Sequence, residues 1–213
     1  MHIHHIQILS EKLRGLGFGA SVGQKILQHA SFRQQCFTIQ YRVEKGTDVV
    51  RFHFFFQKDE AYALLYYDAV LRKEIDIPSG VINAVDIKAL DEKMNIDWNN
   101  LQGNDPERTE EIVAALQALS VSNEGREVAE RLQIKYWSDT AVQQFMSLPA
   151  RTKFEVSKLF YFFDNDEDIS MEDAYRFLNN RWMEREMQKK KNEKNISADE
   201  RGEIKKVKKK KRR

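Results

Sequence analysis

Residues 36–57 constrain this chain more than any other stretch. From Phe37 to Glu44 apolar and polar residues alternate without a break: Phe37, Ile39, Tyr41 and Val43 against Thr38, Gln40, Arg42 and Glu44. Side chains of a strand point to opposite faces with period two, so this is the pattern of a half-buried strand. A second run puts Val50, Phe52, Phe54 and Phe56 on one face. Its other face, with Val49, Arg51, His53 and Phe55, is only partly polar. Between the runs, Lys45-Gly46-Thr47-Asp48 carries turn chemistry, because Gly46 takes positive φ without steric cost.

Parity then sets the register. An odd-numbered apolar face must lie opposite an even-numbered one, so the loop holds two or four residues and not three. A four-residue loop pairs Val43 with Val50, Tyr41 with Phe52, Ile39 with Phe54 and Phe37 with Phe56. A two-residue Lys45-Gly46 loop would set Val43 against Asp48 and require positive φ at Lys45. The longer loop is therefore expected. Aromatic and β-branched cross-strand pairs stabilise by roughly 0.2–1 kcal/mol each over alanine pairs. Two strands alone remain marginal, so something else must cover the phenylalanine face.

With 213 residues, 41% of them apolar, the chain can bury a sizeable core in one domain or in two small ones. The opening Met-His-Ile-His-His is too polar for a secretory segment, and no apolar run approaches a bilayer span. A cytoplasmic protein without membrane contact is expected. Cys36 is the only cysteine, which excludes an internal disulfide or a cysteine-based zinc site. It is expected to be a small, half-buried apolar residue.

The formal net charge of +2 conceals a segregation. From Arg181 to the end there are 15 Lys and Arg against 6 Asp and Glu, a net of +9. The preceding chain holds 20 basic and 27 acidic residues, a net of −7. An acidic body with a basic end behaves unlike a neutral protein.

Along the chain, Ile6, Ile8, Leu9, Leu13 and Leu16 fall near helical spacing, and Gly15-Leu-Gly-Phe-Gly19 ends that helix. A second helix is predicted over 21–30, burying Val22, Ile26 and Leu27. The glycines do not form a nucleotide loop, which needs a strand immediately before them. Period two and period 3.6 both partly fit residues 62–71. Their tyrosines and the short connection from the preceding run favour a third antiparallel strand, with a helix across the sheet as the other option. Ile75, Ile77 and Pro78 continue extended. From Asp86 the pattern turns helical, with Ile87, Leu90 and Met94 as a stripe and Trp98 as an anchor. Residues 99–106 mark a boundary. Pro106 suits the first turn of a helix capped by Asp105, burying Ile112, Ala115, Leu116 and Leu119. Further helices are predicted over 123–136, from a Ser138 or Asp139 cap to before Pro149, and over 150–163. Ala174, Phe177, Leu178 and Trp182 mark one more. After Met187 the apolar spacing stops, which predicts disorder or a lone charged helix.

Three constellations carry chemistry. Asp164, Asp166, Asp168 and Asp173 lie in a stretch similar to an EF-hand calcium loop, flanked by helices. Calcium wants six to eight oxygens, and that loop places glycine at its sixth position. Here the sixth residue is Ile169 and the twelfth is Tyr175. The simpler reading is that Ser170 caps a helix and Asp173 takes the acid position of a capping box. A weak cation site at 164–173 is the alternative. His2, His4 and His5 lack a defined fourth ligand, so they make a poor metal trap. No residues pair into a recognisable nucleophile and base, so no catalytic residue and no cofactor are expected, and an enzyme is the minority reading.

The basic end is the third constellation. Lys205, Lys206, Lys208, Lys209, Lys210, Lys211, Arg212 and Arg213 concentrate positive charge. Such a run attracts DNA or RNA by neutralising phosphates and releasing counterions. It reads no base edge in a fixed geometry, so binding would be non-specific. Otherwise it is a solubilising end.

Gly15-Leu-Gly-Phe-Gly19, the strand pair, and the aromatic run ending Tyr67-Asp-Ala-Val-Leu71 together resemble an uncharacterised family. Its members come from conjugative and mobilisable elements of Bacteroidetes. The resemblance spans roughly the first 75 residues. It implies an α+β module in a DNA-handling neighbourhood and supplies no catalytic residues.

The expected architecture is α+β: a small antiparallel sheet of about three strands with N-terminal helices, then a helical half and a basic charged tail. The corresponding divisions are 1–100, 101–187 and 188–213. The expected function is a non-enzymatic accessory protein that associates with nucleic acid through the tail, in a mobile-element setting. The other reading is a protein–protein adaptor whose tail only solubilises.

Overall fold

The computed structural model of the chain describes residues 3–100, 103–146, 148–162 and 168–210, with 3, 148 and 193–210 as backbone only. In chain order the elements are α1 (Ile3–Gly15), α2 (Ala20–Ser31), β1 (Cys36–Lys45), β2 (Asp48–Lys58), β3 (Tyr62–Arg72), β4 (Val81–Ile82) and β5 (Val85–Asp86). Then come α3 (Ile87–Lys93), α4 (Pro106–Leu119), α5 (Asn123–Trp137), a 3-10 turn (Ala141–Phe145), α6 (Leu148–Phe154), β6 (Glu155–Tyr161) and α7 (Met171–Lys210). The class is α+β. Two compact units divide the chain. One comprises Met1–Lys45, Val50–Leu71 and Val156–Arg213; the other comprises Gly46–Val49 and Arg72–Glu155.

The first unit is built on an antiparallel sheet of order β1-β2-β3-β6. β1 ends at Lys45 and β2 begins at Asp48, so Gly46 (φ +64°) and Thr47 alone make the turn. The Lys58 amide donates to the Gln35 carbonyl at 2.7 Å, which fits the register that sets Val43 opposite Val50. The pairing is the expected one. The ladder runs one pair further toward the tip, because glycine at the first turn position lets a two-residue loop follow the twist of the strands.

Val50, Phe52, Phe54 and Phe56 are fully buried. What covers them is a set of helices on one face: Ile6 and Leu13 of α1, Val22, Ile26 and Ala30 of α2, and Ala174 and Leu178 of α7 share their core. Phe18, between α1 and α2, packs edge-to-face on Phe54 at 4.7 Å, Phe52 at 5.1 Å and Tyr67 at 5.6 Å. Gly17 (φ +92°) makes the reversal that delivers it. Leu27, expected in this core, is 44% exposed, because Ile26 and Ala30 define the inward face of α2.

β3 explains the mixed periodicity of its sequence. Tyr62 and Leu64 face the core at its start, and Tyr67, Ala69 and Leu71 face it afterwards. The switch from even to odd requires one extra residue at Leu65–Tyr66, a β-bulge. The fourth strand corrects the helix expected over 150–163. The chain is helical only to Phe154 and then extends as β6. Val156 and Phe160 enter the sheet core. The free backbone edge of β3 supplies the hydrogen-bonding partner that local spacing cannot reveal, and Phe162 N–H donates to Leu65 O at 3.0 Å at its end.

The second unit is a helical cluster with a small hairpin. Ile87, Leu90, Met94, Trp98, Ile112, Leu116, Leu119 and Leu132 belong to one buried core. Trp98 meets Trp137 edge-on at 5.5 Å. Asp86, Asp105 and Ser122 cap α3, α4 and α5, each accepting a backbone N–H. Pro106 stands in the first turn of α4 as expected. The helix expected from Ser138 or Asp139 is replaced by the short 3-10 turn. Asp139 has φ +68° and its N–H is held by the Gln143 side chain at 2.7 Å, which interrupts the helical path.

Candidate functional site

All three helices of the first unit add to one face of the sheet, so the other face is free of any described helix of that unit. Strict alternation in β2 places Arg51, His53 and Phe55 there. The Phe55 ring stacks on Tyr66 at 5.2 Å with planes 11° apart, and Tyr66 meets Tyr161 at 5.8 Å. Three aromatic rings thus form a row across β2, β3 and β6. Tyr161, on the outermost strand, is 54% exposed. The bulge is what turns Tyr66 to this side and Tyr67 to the other. Leu65 and Leu159 are exposed around the row, and β1 adds exposed Thr38, Gln40 and Arg42. His53 Nδ1 lies 4.0 Å from Asp68 Oδ2. Further along the same face Arg51 is buried.

Cys36 also lies on this side, one residue before core-facing Phe37, and is exposed. This corrects the half-buried expectation. The alternation that buries Phe37 turns its neighbour outward.

The acidic stretch is described from Asp168 onward; Asp164 and Asp166 lie outside the described residues. Asp168 Oδ2 is paired with Lys12 Nζ at 2.7 Å. Ser170 caps α7: its Oγ accepts the Asp173 N–H at 3.1 Å and donates to the Asp173 carboxylate at 2.6 Å. This is a capping box in which the acid takes the hydroxyl proton rather than a backbone N–H. The two described carboxylates are engaged in separate interactions. Among the described residues no group of three His, Cys, Asp or Glu is placed to hold a metal ion. Between the two acids, the Ile169 carbonyl accepts the Tyr67 hydroxyl at 2.9 Å. Burial, then the charges of Asp173 and Asp168, push the Tyr67 phenol well above its ordinary value. Glu172 accepts from Lys45 Nζ at 2.8 Å, and that ammonium holds its carboxyl below the usual range.

α7 carries the basic end. Phe177 meets Phe160 at 5.8 Å and Arg181 donates to the Ser157 carbonyl at 3.1 Å, so its first turns run along β6. The Arg185 guanidinium lies 4.1 Å over the Trp182 ring, and burial lowers its pKa. From Met187 to Asn192 every residue is exposed, and the helical backbone continues to Lys210. Lys205, Lys206, Lys208, Lys209 and Lys210 are on that backbone. Lys211, Arg212 and Arg213 lie outside the described residues.

The histidines do not gather. His5 Nε2 donates to the Tyr62 carbonyl at 3.0 Å, His4 is exposed on α1, and His2 lies outside the described residues. His5 lines an open groove of about 260 Å³ beside Lys12 and Phe162. In the second unit a groove of about 330 Å³ has Glu124, Glu127 and Arg131 in its wall. Arg131 there is engaged by Glu127 at 2.9 Å and by the Asp76 carbonyl at 3.0 Å. Among the described residues no helix is long and apolar enough to cross a membrane.

The aromatic row escaped sequence reasoning in part. Phe55 stood out on the second face of the hairpin, but Tyr66 needed the bulge and Tyr161 needed β6.

No family model, curated protein or solved structure matches the chain.

Proposed function

We propose that this is a non-enzymatic accessory protein that associates with nucleic acid through the basic end of α7, in the cytoplasm and in the mobile-element setting that the N-terminal resemblance implies. One observation carries the reading. α7 continues as helix far beyond Leu178, its last fully buried residue among those described, and the chain from Arg181 onward holds the net charge of +9. Forty residues of helix extend about 60 Å. A long run of Lys and Arg neutralises backbone phosphates and releases their counterions, whatever the sequence.

The test is binding of the full chain and of a chain ending at Met187 to duplex and single-stranded DNA over 50–300 mM salt. The full chain should show affinity falling steeply with salt, with a log–log slope near −0.9 per phosphate neutralised on duplex. The truncated chain should lose most of that affinity and slope. Binding that survives truncation unchanged removes the tail from the mechanism and leaves a docking surface on the folded units.

A further inference from the structure

The second unit carries a groove with an unused strand edge along one wall and an acidic rim along the other. We infer that it docks an extended peptide whose apolar and basic residues alternate, the peptide pairing through its backbone with Val81. This docking site is independent of the basic end of α7, since every residue around the groove belongs to the second unit.

Residues 78–82 form one wall, and α5 forms the other with Glu124, Glu127, Val128 and Arg131. Hydrogen bonds pin the two walls together at both ends. The Asn83 side-chain amide meets Ser122 Oγ at 3.0 Å at one end, and Arg131 donates to Asp76 O at 3.0 Å at the other. The groove is thus held at its width before any ligand arrives, which lowers the cost of binding. Its volume of about 330 Å³ lies at the lower end for preformed ligand sites.

Register decides which backbone groups stay open. Ile82 pairs with Val85 across the two-residue turn, and Ile87 N–H donates to Gly80 O at 3.0 Å. Hydrogen-bonded and non-hydrogen-bonded pairs alternate in an antiparallel ladder. Val81, opposite Asp86, therefore turns its N–H and C=O away from β5, onto the free edge of β4. Neither group has a hydrogen-bond partner among the described residues, and Val81 is 67% exposed. Pro78 has no N–H, and Gly80 at φ +135° departs from strand geometry, so the edge offers this one donor and acceptor. One residue of an added strand satisfies both.

The walls select the side chains. Ile87 and Val128 line the groove and are buried, which suits the apolar face of an entering strand. Glu124 is exposed at the rim and makes no ion pair among the described residues, whereas Arg131 is taken up by Glu127 at 2.9 Å. The unit as a whole has 10 basic and 16 acidic residues, a net of −6. A strand with alternating side chains sends its apolar residues inward and its lysines or arginines to that rim.

The experiment uses the full chain and a fluorescein-labelled seven-residue peptide of alternating valine and lysine. Its controls are an alternating valine–glutamate peptide and two N-methylated versions, one methylated at every valine nitrogen and one at every lysine nitrogen. Anisotropy titrations should show the lysine peptide binding at least about tenfold tighter than the glutamate peptide. Only alternate N–H groups of a strand face one neighbour, so one methylated version should lose binding and the other retain it. Glu124→Lys should weaken the lysine peptide about fivefold and strengthen the glutamate peptide. In 1H–15N spectra the Val81 amide should shift, and exchange more slowly, when the lysine peptide is bound. No binding up to about 1 mM overturns the site. Equal effects of the two methylations overturn it as well, because attraction by charge alone ignores backbone N–H groups. An unshifted Val81 amide, or a Glu124→Lys variant that binds both peptides unchanged, overturns it too, since the peptide then sits elsewhere. None of these results touches the tail reading, which DNA binding decides.

Discussion

The side-chain amide of Asn83 lies 3.0 Å from the hydroxyl of Ser122. The same nitrogen reaches the carbonyls of Ala118 and Leu119 at 3.0 and 3.1 Å. A residue in the two-residue turn between β4 and β5 thus ties the C-terminal end of α4 to the N-cap of α5. The last carbonyls of a helix have no partner within it, so an external donor there satisfies groups that the α-helical pattern leaves open. Asn83 also has φ +50°, a conformation that asparagine tolerates better than most residues. Asn83→Ala removes the donor and keeps the strained backbone. It should destabilise the protein by about 1.5–2 kcal/mol, read as a lower urea midpoint by tryptophan fluorescence.

Its neighbour offers the opposite sign. Ala84 has φ +65°, so both turn residues are left-handed, as a type I′ turn demands. Alanine pays roughly 1–2 kcal/mol for that conformation, and glycine does not. Glycine's greater freedom in the unfolded chain offsets about half of the gain. Ala84→Gly should raise stability by about 0.5–1 kcal/mol. A lower thermal midpoint would show that the Cβ makes a contact worth more than the strain.

These turns mark the limit of what the sequence discloses. The register of β1 and β2 was legible because phenylalanines at every second position admit one parity, and the caps at Asp105, Ser122 and Ser170 are local chemistry. The fate of 155–161 was not legible. Leu159, Phe160 and Phe162 satisfy a helical stripe as well as a strand, and the choice is made by the open edge of β3, about ninety residues earlier in the chain. The bulge at Leu65–Tyr66 shifts the phase of the alternation within one strand, which is why period two fitted residues 62–71 only in part. The aromatic row depends on both events. It could not be assembled from spacing, although each of its rings stands plainly in the sequence.

Tyr67 gives a pH dependence with a definite sign. Its phenol is buried against the core and donates to Ile169 O, with Asp173 and Asp168 nearby, so the folded state holds the proton more tightly than the unfolded chain. The stabilisation is complete below the ordinary tyrosine value near 10 and is lost as pH rises above it, because the unfolded chain ionises first. Thermal midpoints at pH 7 and pH 10.5 should therefore fall further in the wild type than in Tyr67→Phe. The variant should be about 1 kcal/mol less stable at pH 7, having lost the hydrogen bond. Lysines and the other tyrosines titrate in both proteins and cancel in the comparison. Equal losses in the two proteins would place the alkaline sensitivity elsewhere.

Gly125 tests how closely two helices of the second unit approach. It lies in the first turn of α5, where its N–H donates to Ser122 Oγ at 3.1 Å. Replacing a helical glycine by alanine ordinarily stabilises by about 1 kcal/mol, through the lower entropy of the unfolded chain. Here a Cβ would stand 2.1 Å from the Leu119 carbonyl oxygen and 2.9 Å from its carbon. Those are backbone atoms at the end of α4, and they cannot rotate aside as a side-chain tip would. The corner that Asn83 and Ser122 close must open to admit the methyl group. Overpacking of this kind costs about 1–3 kcal/mol, which exceeds the propensity gain. Gly125→Ala should therefore lower the thermal midpoint by several degrees, with Gly125→Ser falling at least as far. A rise in the midpoint would mean that α4 and α5 part easily at this corner, and the hydrogen bonds of Asn83 would then hold less of the fold than their geometry implies.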